Sequence, residues 1–384
     1  MGKKSNPDGE CLSIPVNLIR TFAIVLVILF HAATETTPVT NLSASEALEL
    51  KLARDIYNSI SQPGVPLFLM LSGALLLQPT KLDESLGVFF KKRAIRIGPP
   101  FLFWGIIYFL WRIYVNGEVL TTEAVLQGAL NGPYFHFWYF YALIGIYLLT
   151  PVLRIMVTYI DRKTFTFLAI LWFLGTAVVP LIGLFGAYQL SGNVFILTGW
   201  VGYFLLGAYA LKVHIRSRVL FILLFLGFVY TTIGTYFAGL ILGPEYGHFF
   251  VSCYSFSMIG ISLTLFMLLT NISVKTIETK IPFIKSLLTI IGQNTIFIFL
   301  FHVMVLQSLQ MGFFGFRISI TTMNPFIEVP LITAVTLLIC IAVVYPLQKI
   351  PVINKIIGSS TTSYDKRKAP KNSINNSKSE DILS

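Results

Sequence analysis

The chain has 384 residues, of which 55% are hydrophobic, 14% aromatic and only 12% charged, and its mean hydropathy is +0.77. Soluble domains carry about 25% charged residues, so the composition excludes a soluble globular protein and predicts an all-α, polytopic helical bundle in a lipid bilayer. The formal charge of +11 would suggest nucleic acid in a soluble chain, but here it lies in the loops between apolar runs, so no nucleic-acid partner is expected.

Taken in order, the chain begins with Lys3 and Lys4 ahead of an apolar run, as signal peptides do. The run is interrupted by His31 and lacks a clear small-residue cleavage site, so a retained first span is expected. Apolar stretches long enough to cross the hydrocarbon recur near 14–34, 63–80, 97–115, 137–157, 164–187, 193–213, 219–241, 249–270, 287–309 and 329–347, which predicts about ten transmembrane helices. The connections alternate in charge. Most of the 28 Lys and Arg fall in the N-terminus, the 81–96 and 154–163 connections, the stretches around Arg216 and Lys280, and the tail. Positive loops stay inside, so both termini are expected on the cytoplasmic face of a multi-pass cell membrane protein. Residues 1–13 are read as a cytoplasmic N-terminus, 14–350 as one membrane domain, and 351–384 as a disordered basic tail rich in Ser, Asn and Lys, of a kind that touches anionic lipid. The outer connection 35–62, with Glu35, Glu46, Glu49 and Asp55, reads as a short helix flanked by loop.

Ionisable side chains at membrane depth are costly and mark function. The first span holds two, Arg20 and His31. Their separation is about three helical turns, so they share one face roughly 16 Å apart along the axis. On the same geometry His31 lies about 25 Å from the inner surface, and His302 on the ninth span about 22 Å from it. His136 begins the fourth span at the outer surface, beside Phe137, Trp138 and Tyr139. Histidine is the natural general base for a hydroxyl near neutral pH, so His31 and His302 are candidate catalytic groups. Glu35, one turn beyond His31, would orient its imidazole, or would only mark the helix end. Buried histidines also serve simply as hydrogen-bonding links between helices.

On the inner face, Lys91-Lys-Arg-Ala-Ile-Arg-Ile-Gly-Pro-Pro100 sets Arg93 and Arg96 three apart, neighbours on a helix surface. Their guanidinium forks suit the phosphates of a coenzyme A thioester, although an ordinary positive-inside anchor has the same spacing. Pro66, Ser72 and Gly73 in the second span suit close helix packing, with Ser72 a weaker nucleophile candidate. Asn294, in Gly292-Gln-Asn294, packs or orients the site, and Trp138 and Tyr139 would stack on a sugar or sit in the interfacial belt. Cys11, Cys253 and Cys340 are too scattered for a disulfide framework or a metal site. No Gly-x-Ser-x-Gly elbow, zinc spacing or Walker loop occurs.

Together these motifs make the chain resemble the acyltransferase-3 family of integral-membrane acyltransferases. Arg20 and His31 are similar to its first-helix Arg-x10-His, and Val65-Pro-Leu-Phe-Leu-Met-Leu-Ser-Gly73 to its second helix. Lys92-Arg-Ala-Ile-Arg96 resembles its Arg-x-x-Arg segment, with His136-Phe-Trp-Tyr139 and Gly292-Gln-Asn-Thr-Ile…His302 following in order. The resemblance implies transfer of an acyl group, usually acetyl, from cytoplasmic acyl-CoA to a hydroxyl of a sugar or glycan. It implies His31 as the catalytic histidine, Arg20 as its partner on the same helix, and Arg93 and Arg96 as donor-binding residues. A transporter or flippase of a glycan or amphipathic solute would use the same buried His and Arg differently, predicting solute movement without CoA release. A sensor or scaffold has only the basic tail in its favour.

Overall fold

The computed structural model describes residues 15–34, 43–119, 121–185, 199–273, 282–319 and 323–359, and every regular element among them is helical. The apolar first helix α1 (Val16–Thr34) lies at the centre and packs against six others. After it, α2 (Ala44–Ser61) opens on a capping box: the Ser43 hydroxyl accepts from the Glu46 N–H while the Glu46 carboxylate accepts from the Ser43 N–H. This satisfies two otherwise orphaned donors. The chain breaks at Gln62-Pro63 and continues as α3 (Gly64–Leu76).

The long α4 (Leu86–Tyr114) carries Pro99 and Pro100 in its interior. Then follow α5 (Thr122–Asn131), a single 3-10 turn at Phe135–Phe137, and α6 (Trp138–Tyr159). Next, α7 (Arg162–Phe173) passes through a π turn, Leu174–Val178, into α8 (Val179–Phe185). The second half holds α9 (Gly199–Ala210), α10 (Ser217–Ile241), α11 (Pro244–Val251) and α12 (Phe256–Thr270). The last described elements are α13 (Pro282–Gln293), α14 (Thr295–Met311), α15 (Pro325–Leu347) and α16 (Pro351–Ile357).

Each of the ten predicted spans falls on helix. Eight helical stretches are long and apolar enough to cross a membrane, and α13 with α14 make a ninth, bent by 82°. The span predicted over 193–213 is described only from Gly199, where α9 runs for 12 residues. Small residues set the closest approach in the bundle. A Cβ at Gly73 would strike the backbone of Phe204, and one at Gly207 the backbone of Met70, so α3 and α9 touch main chain to main chain, as packing in lipid favours. Outward, α4, α6 and α10 expose Leu102, Ile106, Leu148, Val152, Phe221 and Phe225. Apolar exposure on this scale faces hydrocarbon rather than water.

Four boundaries differ from the sequence reading. The short helix of the outer connection is 18 residues long and joins α3 to form one 33-residue apolar stretch. The basic stretch 86–96, read as loop, is the first three turns of α4, capped by the Ser85 hydroxyl accepting from the Val88 N–H. The ninth span bends at Asn294. There the Asn294 side-chain amide adds a second hydrogen bond to the Ile290 carbonyl, which already accepts from the Asn294 N–H. Finally, residues 351–357, assigned to the tail, form α16. It is held by Trp104, whose indole N–H donates to the Ile357 carbonyl at 3.2 Å, and by the Ser359 hydroxyl donating to Asn294 Oδ1.

Candidate active site

The Arg-x-x-Arg spacing on the first turns of α4 does what helical geometry requires: Arg93 and Arg96 face one way, with Ile97 beside them. They border a cavity of about 240 Å³, whose other walls come from Arg20 on α1, Ser72 on α3, Tyr139 and Tyr147 on α6, and Phe299 on α14. Lys81, from the connection between α3 and α4, completes a set of four cations, and no carboxylate lines the cavity. Among the described residues none of the four forms an ion pair. Arg20 Nη1 donates to the Gly292 carbonyl at 3.4 Å, and the Arg93 guanidinium lies over the rings of Phe89 and Tyr147 at 5.1 and 5.7 Å. Lys81 and Arg93 also border a wider surface depression of about 670 Å³, so the cavity opens where the basic connections lie. Burial and the adjacent Arg93 hold the Lys81 amine below its ordinary value.

One acid governs this mouth. Glu84 accepts from Lys92 at 2.7 Å and from Arg154 Nη2 at 3.4 Å. Its carboxyl is held below the ordinary glutamate range chiefly by the Lys92 hydrogen bond, with Lys92, Arg154 and Arg93 charges adding to it. Arg154, counted among loop cations, is buried on α6. It donates to the carbonyls of Leu76 at 2.9 Å and Lys81 at 2.6 Å, bracing the connection that delivers Lys81. Lys81, Tyr147 and Arg154 were all passed over in the sequence. The first two carried no motif, and a lone Arg near a span end looks like any positive-inside anchor.

The histidines gather one layer deeper. His31 and His302 stand with ring centroids 5.2 Å apart, and His136 lies 5.8 Å from His302. His302 Nδ1 lies 2.7 Å from the Phe299 carbonyl and 3.1 Å from the Ile298 carbonyl, which fixes its ring. Its Nε2 and both ring nitrogens of His136 are buried without a hydrogen-bond partner among the described residues. Such atoms are rare in a finished structure. The sequence expects His31 and His302 at similar depth on two rising helices; their ring contact comes from the fold. His136, expected where the fourth span begins at the outer membrane surface, is buried within the protein, only 1% exposed. The 3-10 turn before α6 tucks it against Tyr108, 4.9 Å away.

The two halves of the site meet at Phe299. This ring lines the cavity and also lies 5.9 Å from His302 and 5.8 Å from His136. None of the three histidines lines the cavity, so Phe299 stands between the cations and the histidine cluster. Of the other predicted site residues, Ser72 and Tyr139 line the cavity. Trp138 instead stacks on Trp200 at 5.2 Å. Asn294 spends its side chain on the carbonyl of Ile290, on Gln348 and on Ser359, which fastens the α13–α14 break to the C-terminal segment. Glu35 lies outside the described residues.

A family model described as an acyltransferase domain matches residues 15–345. Neither a curated protein nor a solved structure matches the chain. The matched region contains the whole cation cavity and the whole histidine cluster, and the chain belongs to the acyltransferase-3 family: it is a multi-pass membrane acyltransferase.

Proposed function

We propose that the protein moves an acyl group, acetyl above all, from cytoplasmic acyl-CoA to a hydroxyl of a sugar or glycan, and that it does so in the cell membrane with both termini inside. The observation that carries this reading is the division of the site: four unpaired cations around one cavity, and a buried histidine cluster immediately behind its end wall. Guanidinium groups bind phosphate oxygens through paired N–H donors, so Arg93, Arg96 and Lys81 would hold the phosphates of the donor at the mouth. Arg20, deeper, would hold the thioester arm or keep α1 against Gly292.

An imidazole nitrogen of His31 takes the proton of the acceptor hydroxyl as its oxygen attacks the thioester carbonyl carbon. The carbon–sulfur bond breaks, and the proton on His31 passes to the departing thiolate. The charges balance, and His31 returns to its neutral form. His302, its ring fixed by two backbone carbonyls, positions His31. A transporter would use buried cations as well, but the family match favours transfer.

The test uses purified protein in lipid nanodiscs, acetyl-CoA and a panel of glycans, following thiol release and the mass of the acylated product. Replacing His31 by Ala is expected to lower kcat by at least about 100-fold, the usual contribution of a general base, with acetyl-CoA binding retained. Full activity in that variant would remove the mechanism.

A further inference from the structure

Helices α6, α7 and α9 leave a second, differently built recess. The start of α7 and the connection just after α9 put Arg162 and Lys212 on a hollow of about 160 Å³, lined also by Asp161, Tyr209 and Phe165. Phe165 lines as well a hollow of about 140 Å³. That second hollow is walled by Met156 of α6, by Leu168, Ala169 and Trp172 of α7, and by Leu205 and Leu206 of α9. No charged side chain lines it. Phe165 stacks flat on Tyr209, with centroids 4.7 Å apart and planes 9° apart, and this pair forms the step between the two hollows.

From Arg162 to Trp172 the groove follows α7 for about 15 Å. Its polar end is positive. The Asp161 carboxylate is already spent at the start of α7, accepting from the Thr164 N–H and hydroxyl at 2.8 Å each, and it forms no ion pair with either cation among the described residues. A cationic head leading into an apolar furrow between membrane helices has the shape and polarity of one class of molecule. Its charged end belongs to connections that the charge pattern places inside, at the depth of the anionic leaflet.

We propose that this groove is a binding site for one anionic phospholipid, its phosphate between Arg162 and Lys212 and one acyl chain along Phe165, Ala169 and Leu206. The site is separate from the basic cavity, sharing no lining residue with it. It rests on the groove alone and stands or falls independently of the acyl-transfer reading.

Native mass spectrometry of the full chain, released from phosphatidylcholine nanodiscs with and without phosphatidylglycerol, tests it. One retained phosphatidylglycerol per chain is expected, preferred over phosphatidylcholine by about tenfold, the scale that two interfacial cations supply. The double change Arg162→Gln, Lys212→Gln at exposed positions should abolish the preference without changing melting in pure phosphatidylcholine. Ala169→Phe, which fills the furrow but leaves both cations, should abolish retention. A photoreactive acyl chain on phosphatidylglycerol should label peptides of α7 and α9. Equal retention of the two lipids by the unaltered protein would overturn the proposal. So would undiminished retention in a folded Ala169→Phe protein, or labelling spread evenly over the lipid-facing helices. Glycerol 3-phosphate, which has the charge without the chains, should not compete; if it displaces the lipid, the site is one for free phosphate.

Discussion

Glu84 shows how much a single side chain organises at the cavity mouth. Its carboxylate ties Lys92 on α4 to Arg154 on α6, and Arg154 in turn braces the connection bearing Lys81. Because the folded-state value of Glu84 is depressed, chiefly by Lys92, its stabilisation is complete above the ordinary glutamate value of about 4.3. It is lost as pH falls through the lower folded value. Thermal melting in detergent from neutral pH down to acid should therefore show the unaltered protein losing about 1–2 °C more than Glu84→Gln, the scale of one partly exposed ion pair. Equal losses would show that the acid contributes nothing. At this scale the sequence was legible wherever a charge sat inside an apolar run, since that placement is costly unless something uses it. Arg20 and His31 stood out for that reason. Arg154 did not, because burial of a charge near a span end depends on which carbonyls the neighbouring connection brings to it, and only the fold decides that.

At the scale of elements, two features fix the site: the main-chain contact of α3 with α9, and the bend between α13 and α14. Gly73 sits one residue after Ser72, which lines the cavity, so the α3–α9 contact sets how deep that wall lies. Gly73→Val would force the helices apart by about the width of a methyl group. The cost expected is about 3 kcal/mol, at the upper end for overpacking, with melting lowered and acyl-CoA binding weakened together. Gly87→Ala, where an added Cβ meets nothing, is the matched control and should change neither. An unchanged melting point for Gly73→Val would mean the two helices are free to shift. The apolar periodicity located these helices but not their interruptions. A run such as Leu287–Leu309 has enough hydrophobicity to be one straight span. The 82° turn falls at Asn294, whose side chain donates to the Ile290 carbonyl and to Gln348 and accepts from Ser359, the last two partners far away in sequence.

For the whole molecule, the arrangement is a charge gradient across one bundle: cations at one mouth, neutralisable imidazoles deeper in, and a ring between them. Arg20 and His31 set that order on α1, against which α3 and α14 pack, and α4 and α6 complete it by packing on one another. The wall is the part no sequence pattern indicated, since Phe299 is one of 33 phenylalanines and differs from the others only in where it lands. It touches Tyr139 and Phe140, at centroid distances of 5.1 and 5.8 Å, as well as two histidines. On the proposed reading, a thioester held among the cations and a proton acceptor behind the ring have to come within about 3–3.5 Å of each other for transfer. The Phe299 ring must therefore swing aside, and its size should govern kcat rather than donor affinity. Phe299→Leu, which shortens the wall, is expected to keep the KM for acetyl-CoA within about twofold and to admit longer acyl chains. Phe299→Trp should lower kcat about tenfold or more with KM again little changed, the pattern of a lost transition-state geometry rather than lost binding. Steady-state kinetics with acetyl-, butyryl- and hexanoyl-CoA separate these outcomes. If Phe299→Trp instead raises KM and leaves kcat alone, the ring is merely part of the donor pocket, and the route from cations to histidines runs elsewhere.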